Sequence, residues 1–275
     1  MSLELIKQLR EATGAGMADC QAALKEAGND IDKAVEILRK KGIAKAAKRG
    51  DREAGEGIIL LSVNEDKNEG YALEINAETD FVAKNEKFQK LAADIMEVII
   101  KAKPKNRDEL LGKAMGEMTV EEALKNLSGT IGEKMGIKDI AVLSSGGTVA
   151  AYSHLGGKIG VLVALDKTDT AELAYDLAMQ IAAASPKYIK PEDVPEEELN
   201  KEKEIYREQL IKEGKPENII DKIIEGKINK YYEEVCLVTQ EFIKDDKRKV
   251  SDVLGEVKVE RFVRFSLDGP PQICG

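Results

Sequence analysis

The chain has 275 residues, 43% hydrophobic and 34% charged, enough for about two domains with real cores beneath a heavily charged surface. Its formal charge of −9 repels a phosphate backbone, which argues against direct nucleic-acid binding and for a protein partner. Three cysteines, Cys20, Cys236 and Cys274, lie far apart with no CxxC or Cys/His grouping, against a disulfide framework or zinc site and for a reducing, cytoplasmic setting.

Three short helices are predicted in the first fifty residues. Leu5, Ile6 and Leu9 form one apolar face, Met17, Cys20 and Leu24 a second, and Ile31, Ala34, Val35 and Leu38 a third. Each is too short to stand alone, so the stripes must pack into a mini-bundle. Gly42 reads as the end of the third helix, and Lys45, Lys48, Arg49 and Arg52 as a solvated linker. The opening residues lack a basic, apolar leader, and no apolar run reaches the roughly 20 residues of a membrane span, so neither secretion nor a membrane is expected.

The period then changes. Gly57–Val63, a turn over Asn64–Gly70, and alternating Tyr71, Leu73 and Ile75 predict a β-hairpin. A helix with Phe88, Leu91, Ala92, Ile95, Val98 and Ile99 on one face follows, and then one carrying Leu124, Leu127 and Ile131. A related unit begins at Ile140–Leu143, with strands at Thr148–Tyr152 and Ile159–Leu165 and a helix carrying Leu173, Leu177, Ala178 and Ile181. An excursion after Pro186 predicts two antiparallel charged helices, one with Leu199, Tyr206 and Leu210, the other with Ile220, Ile223, Ile224, Ile228, Tyr231 and Val235. The chain returns through Val253–Leu254 and a strand with Val257, Val259, Phe262 and Phe265, and Asp268–Pro271 reads as a frayed end.

The expected fold class is α+β, with two antiparallel-sheet-plus-helix lobes, a three-helix N-terminal module and a helical hairpin inserted in the second lobe. The expected divisions are 1–54 for the module and linker, 55–139 for lobe 1, 140–185 with 236–275 for lobe 2, and 186–235 for the hairpin.

Catalytic chemistry is hard to find. His154 is the single histidine, no GxxxxGK[ST] loop exists, and Gly14-Ala15-Gly16 lacks the third glycine of a dinucleotide turn. Glu196–Glu198 reads as the solvated face of a charged helix. No enzyme activity, cofactor or resident metal is expected.

Two places leave a choice open. From Asp80 to Leu91 is eleven residues, whereas the equivalent step from Asp169 to Leu177 is eight, so the first lobe carries three extra residues at its strand-to-helix corner. Those residues push Asp80 and Phe81 outward, where a large apolar side chain anchors a partner; alternatively Thr79 or Asp80 caps the helix and Phe81 extends the buried stripe through Phe88. His154, in the Gly-flanked turn Tyr152–Gly157, is either an ordinary surface residue or a contact.

The opening Lys7–Cys20, the run Thr79-Asp80-Phe81-Val82-Ala83-Lys84, His154 with Lys158–Val163, and Ala183–Pro186 followed by Ile189–Glu192 together resemble the bacterial elongation factor Ts family, over about residues 3 to 267. The resemblance implies a ubiquitin-associated-like N-terminal module, two core lobes and a coiled-coil hairpin. It implies a guanine nucleotide exchange factor that binds the GTPase elongation factor Tu. Thr79, Asp80, Phe81 and Val82 would dislocate Mg²⁺ in the partner, and Arg10, Met17, Ile131, His154 and Ile243 would touch it. A homodimer, or a heterotetramer with the partner, is compatible with that family.

Ala18 and Lys244 stand where some relatives carry Met, and the family's C-terminal helical module is not evident after Leu267. Two rival expectations remain: a non-catalytic adaptor using the hairpin and N-terminal module, and an enzyme built on His154 or the acidic clusters.

Overall fold

The computed structural model describes residues 2–13, 15–47 and 52–275, with the side chains of 43–47 left out. Helices α1 (Leu3–Thr13), α2 (Met17–Glu26) and α3 (Ile31–Ala47) pack around Ile6, Leu9, Cys20, Ala23, Leu24 and Ala34, the stripes that 3.6-residue spacing marks as apolar. Gly42 does not end the third helix, which runs on to Ala47 and takes in Lys45; Lys48 and Arg49 lie outside the described residues.

Strands β1 (Glu56–Val63) and β2 (Glu69–Ala77) form the expected hairpin. Then come α4 (Asp80–Ala83), α5 (Glu86–Ala102), α6 (Arg107–Leu111), the two-residue strands β3 (Ala114–Met115) and β4 (Met118–Thr119), and α7 (Val120–Ile131). Strand β5 (Met135–Ser144) pairs antiparallel with β2, giving a sheet of order β1-β2-β5. Ile140–Leu143 therefore completes the first sheet instead of opening the second lobe, and a division at 139/140 cuts through this strand. The cause is a long-range pairing: β2 needs a second neighbour, and the returning chain supplies it.

The second sheet is built from β6 (Thr148–His154), β7 (Ile159–Leu165) and, after the excursion, later strands; α8 (Ala171–Ala184) packs against it. Helices α9 (Glu196–Lys212) and α10 (Glu217–Val235) pair antiparallel. Leu199 near the start of α9 shares a cluster with Tyr232 near the end of α10, and Leu210 shares one with Ile220 beside the connecting turn. The chain closes with β8 (Glu241–Phe242), β9 (Asp245–Lys249), α11 (Val250–Leu254), β10 (Val259–Ser266) and β11 (Gln272–Cys274). The final residues are not frayed: β11 pairs with β10, giving the order β11-β10-β7-β6.

Strand periodicity of two explains how the lobes join. Tyr71, Leu73 and Ile75 face α5, whose Phe88, Leu91, Ile95 and Ile99 complete the first core. Ala72, between them, faces the other sheet together with Ile59, Leu143, Val149, Leu162, Ala164, Val263 and Phe265. Val161, Val163 and Leu165 face α8 in a third core. The body is thus four layers, helix–sheet–sheet–helix, of the α+β class. Gly160 lies directly against the facing sheet, since a Cβ there would stand 2.4 Å from Ile59 Cγ2.

One buried charge lies between the sheets. Glu74, fully buried on β2, accepts from Lys138 Nζ at 2.8 Å, and the same ammonium donates to the carbonyls of Ser266 (3.4 Å) and Gly269 (2.8 Å). Burial pushes the Glu74 carboxyl above its usual range, against the pull of Lys138.

Candidate partner-binding site

The extra length at the first lobe's corner is taken up by a separate one-turn helix, α4. Thr79 caps α4, its hydroxyl accepting from Val82 N at 3.4 Å, and Asn85 then caps α5, its side chain accepting from Lys87 N. In one turn, consecutive side chains diverge by about 100°. Val82 and Ala83 go inward, 5% and 6% exposed, and Phe81 goes outward, 82% exposed. The ring does not extend the Phe88 stripe. Two inward aliphatic neighbours hold the backbone against β1 and β2 while an aromatic ring stands in solvent.

Asp80 is beside it. Lys84 Nζ reaches Asp80 Oδ2 at 2.7 Å, and this hydrogen bond holds the Asp80 carboxyl below its ordinary range. Glu56 on β1 adds to the field that raises Lys84, after the main effect of Asp80. Glu56 Oε2 also stands 3.9 Å from Lys158 Nζ in the turn after His154. That turn is tied to β1 by Ile59 N donating to Gly157 O at 2.8 Å. The structure therefore brings the Thr79–Val82 corner and the His154 turn onto one rim, at the start of β1. Sequence spacing does not show this; the Glu56–Lys158 ion pair does.

His154 is exposed, its ring stacked on Tyr152 at 5.8 Å, with Nδ1 3.1 Å from the Tyr152 hydroxyl. Tyr175 packs edge-on against the other side of Tyr152, and Leu155 next to His154 is 65% exposed at φ 52°. Ile131 is half-buried against the first core at the end of α7. Arg10 is exposed on the last turn of α1, and Met17, 44% exposed, begins α2. Ile243, 47% exposed, sits in the turn between β8 and β9, its N–H donating to Gln180 Oε1 at 2.8 Å. Arg10 and Met17 thus belong to the helical module, Ile243 to the far side of the second sheet, and neither group shares the β1 rim.

The cysteines are not set up as nucleophiles. Burial raises the thiols of Cys20, Cys236 (to about 12) and Cys274 (to about 11), the reverse of what a nucleophile needs. Among the described residues no His, Cys, Asp and Glu side chains gather as a metal site, and no helix is long and apolar enough to cross a membrane.

A sequence model of the family described as Elongation factor TS matches residues 78–269, beginning at this corner. An elongation factor Ts of Chlorobaculum tepidum is 46% identical, over 97% of this chain and 98% of that protein. One from Aquifex aeolicus is 45% identical, over 98% of each chain. With a family match across most of its length, and two such relatives aligned end to end, the chain belongs to the elongation factor Ts family of translation elongation factors.

Proposed function

We propose that this protein is a cytoplasmic guanine nucleotide exchange factor, not a catalyst of covalent chemistry, and that it binds elongation factor Tu carrying GDP and promotes its exchange for GTP. The observation that carries the reading is the 82% exposure of Phe81 on a capped helical turn whose next two residues are buried. A large aromatic side chain held in water by its own fold is positioned for a partner. Nucleotide exchange is the role known for the family, and Asp80 beside Phe81 supplies the charge that disturbs the partner's Mg²⁺ site.

The physics is linkage. Mg²⁺ neutralises the nucleotide phosphates and keeps GDP in place. A factor that binds the empty GTPase more tightly than the loaded one must weaken nucleotide binding by the same ratio. Burying Phe81 in a cavity that exists only in the distorted pocket contributes roughly 1.5–3 kcal/mol of that difference. His154, on the same rim, extends the contact; Arg10 and Met17 on the helical module, Ile131, and Ile243 on the second sheet's side supply further grips. Nucleotide is the only thing exchanged, and the factor leaves unchanged once GTP binds. Release of a fluorescent GDP from elongation factor Tu, timed with and without this protein, tests the reading.

A further inference from the structure

The corner has a support that no motif marks. α7 ends on Gly132, whose φ of +94° is left-handed, with its N–H donating to Ser128 O at 2.9 Å. That turn delivers Glu133 to Thr79. Thr79 N donates to Glu133 Oε2 at 3.1 Å, and the Thr79 hydroxyl donates to the same carboxylate at 3.0 Å. Ser128 Oγ, donating to Glu133 O at 2.6 Å, fixes the backbone that carries this group.

The Thr79 hydroxyl has two jobs, and the carboxylate decides how they are shared. Its single hydrogen points at Glu133, so a lone pair is left for Val82 N, the bond that caps the first turn of α4. Without an acceptor on that side the hydroxyl is free to rotate and the cap weakens. α4 is four residues long, closed by Ala83 N donating to Thr79 O at 3.2 Å and Lys84 N to Asp80 O at 3.1 Å, so the cap at Val82 N is a third among the few bonds that set its first residues. Phe81 follows directly.

We propose that Glu133 is the positioning residue of the exchange corner: its carboxylate orients Thr79 and thereby sets where the Phe81 ring and Asp80 are presented to the partner. The proposal rests on the reading of the corner as the element that drives nucleotide release. Glu133 itself need not touch the partner; it acts through Thr79.

Two measurements separate the possibilities. Release of fluorescent GDP from elongation factor Tu is followed at rising concentrations of Glu133→Ala, Glu133→Gln and Phe81→Ala proteins. For Glu133→Ala the maximal rate is expected to fall about tenfold, as misplacement of a working group does, with the half-saturating concentration within roughly twofold of the parent, because the other contacts are intact. Glu133→Gln, which keeps one acceptor oxygen, is expected to fall between the parent and Glu133→Ala. The chain has no tryptophan, so Phe81→Trp places a single reporter at the ring. In that background Glu133→Ala is expected to add fast local motion to the anisotropy decay of the free protein while leaving the decay of the whole molecule unchanged.

Should Glu133→Ala fail to fold, Thr79→Val cuts the same link from the other side and is expected to give the same loss of maximal rate. Parent-like release by Glu133→Ala beside slow release by Phe81→Ala overturns the role of Glu133 and leaves the exchange reading standing. Parent-like release by Phe81→Ala overturns the exchange reading, and an unchanged tryptophan decay then overturns the positioning claim as well.

Discussion

Gly42 of α3 and Gly129 of α7 cross backbone to backbone. A Cβ on Gly129 would stand 2.4 Å from Gly42 Cα and 2.6 Å from its carbonyl oxygen, whereas a Cβ on Gly42 would meet Gly129 Cα at an ordinary 3.4 Å. The N-terminal helices are thereby seated on the helix whose end supplies Glu133.

The asymmetry predicts opposite signs for two alanine substitutions. Gly129→Ala forces one helix away from the other at roughly 1–3 kcal/mol, partly offset by about 1 kcal/mol of helix propensity, for a net loss of up to about 2 kcal/mol. Gly42→Ala has room, so propensity dominates and the protein gains up to about 1 kcal/mol. Denaturant titration of the pair checks both.

Lys138 and Glu74 predict a larger effect. Removing the ammonium by Lys138→Ala leaves a fully buried carboxylate with no cation, a loss of about 3–5 kcal/mol, and Glu74→Gln in the same protein recovers much of it. Because burial raises the Glu74 carboxyl, protonation is easier in the folded state than in the unfolded one. The Lys138→Ala variant should therefore regain stability as pH falls toward the usual carboxylate range and lose it as pH rises. Urea midpoints over that range measure it.

The base of the α9–α10 hairpin has the reverse dependence. Glu198 accepts from the hydroxyls of Tyr231 and Tyr188 (the latter at 2.7 Å), and these bonds, Tyr231 first, hold its carboxyl below the ordinary value of 4.5. Its contribution is present above that value and fades as pH falls through the depressed one. Tyr188 is raised to about 12 by burial and then by Glu198, and Tyr231 is raised further for the same reasons. Their contribution is complete below the ordinary 10.0 and fades as pH climbs past it. Glu198→Ala is expected to cost about 1–3 kcal/mol at neutral pH and to converge on the parent in acid. Melting temperature against pH, for both proteins, tests it.

Local pattern carried most of the elements. Alternating Tyr71, Leu73 and Ile75 and the Asn64–Gly70 turn marked the first hairpin, and the spacing of Phe88, Leu91, Ile95 and Ile99 marked α5, because period and turn chemistry are properties of a short segment. Partnership was not legible. Ile140–Leu143 reads equally well as the start of a second lobe, and only its pairing with β2 places it in the first sheet. Gly42 carries the signal of a helix end, but its small size serves a crossing with a residue distant in sequence. Pro270 and Pro271 mask the short pairing of Gln272–Cys274 with β10. At the candidate site, the length difference between the two lobes singled out Asp80 and Phe81 but left open whether the ring is buried or outward, and a lone glutamate after a glycine offers no pattern, so Glu133 was invisible.

The exposure of Phe81 separates its stability role from its functional one. An 82% exposed ring contributes little to its own fold, so Phe81→Ala should change the unfolding free energy by less than about 0.5 kcal/mol. A ring in the core would cost roughly 3–5 kcal/mol. Thermal melting decides between these values.

The most direct test is stopped-flow release of fluorescent GDP from elongation factor Tu, driven by the parent protein and by Phe81→Ala at matched concentrations. The exposed-ring account predicts fast release with the parent and at least about tenfold slower release with the variant, in line with losing the apolar burial of one aromatic side chain. Equal rates from two equally stable proteins would contradict it.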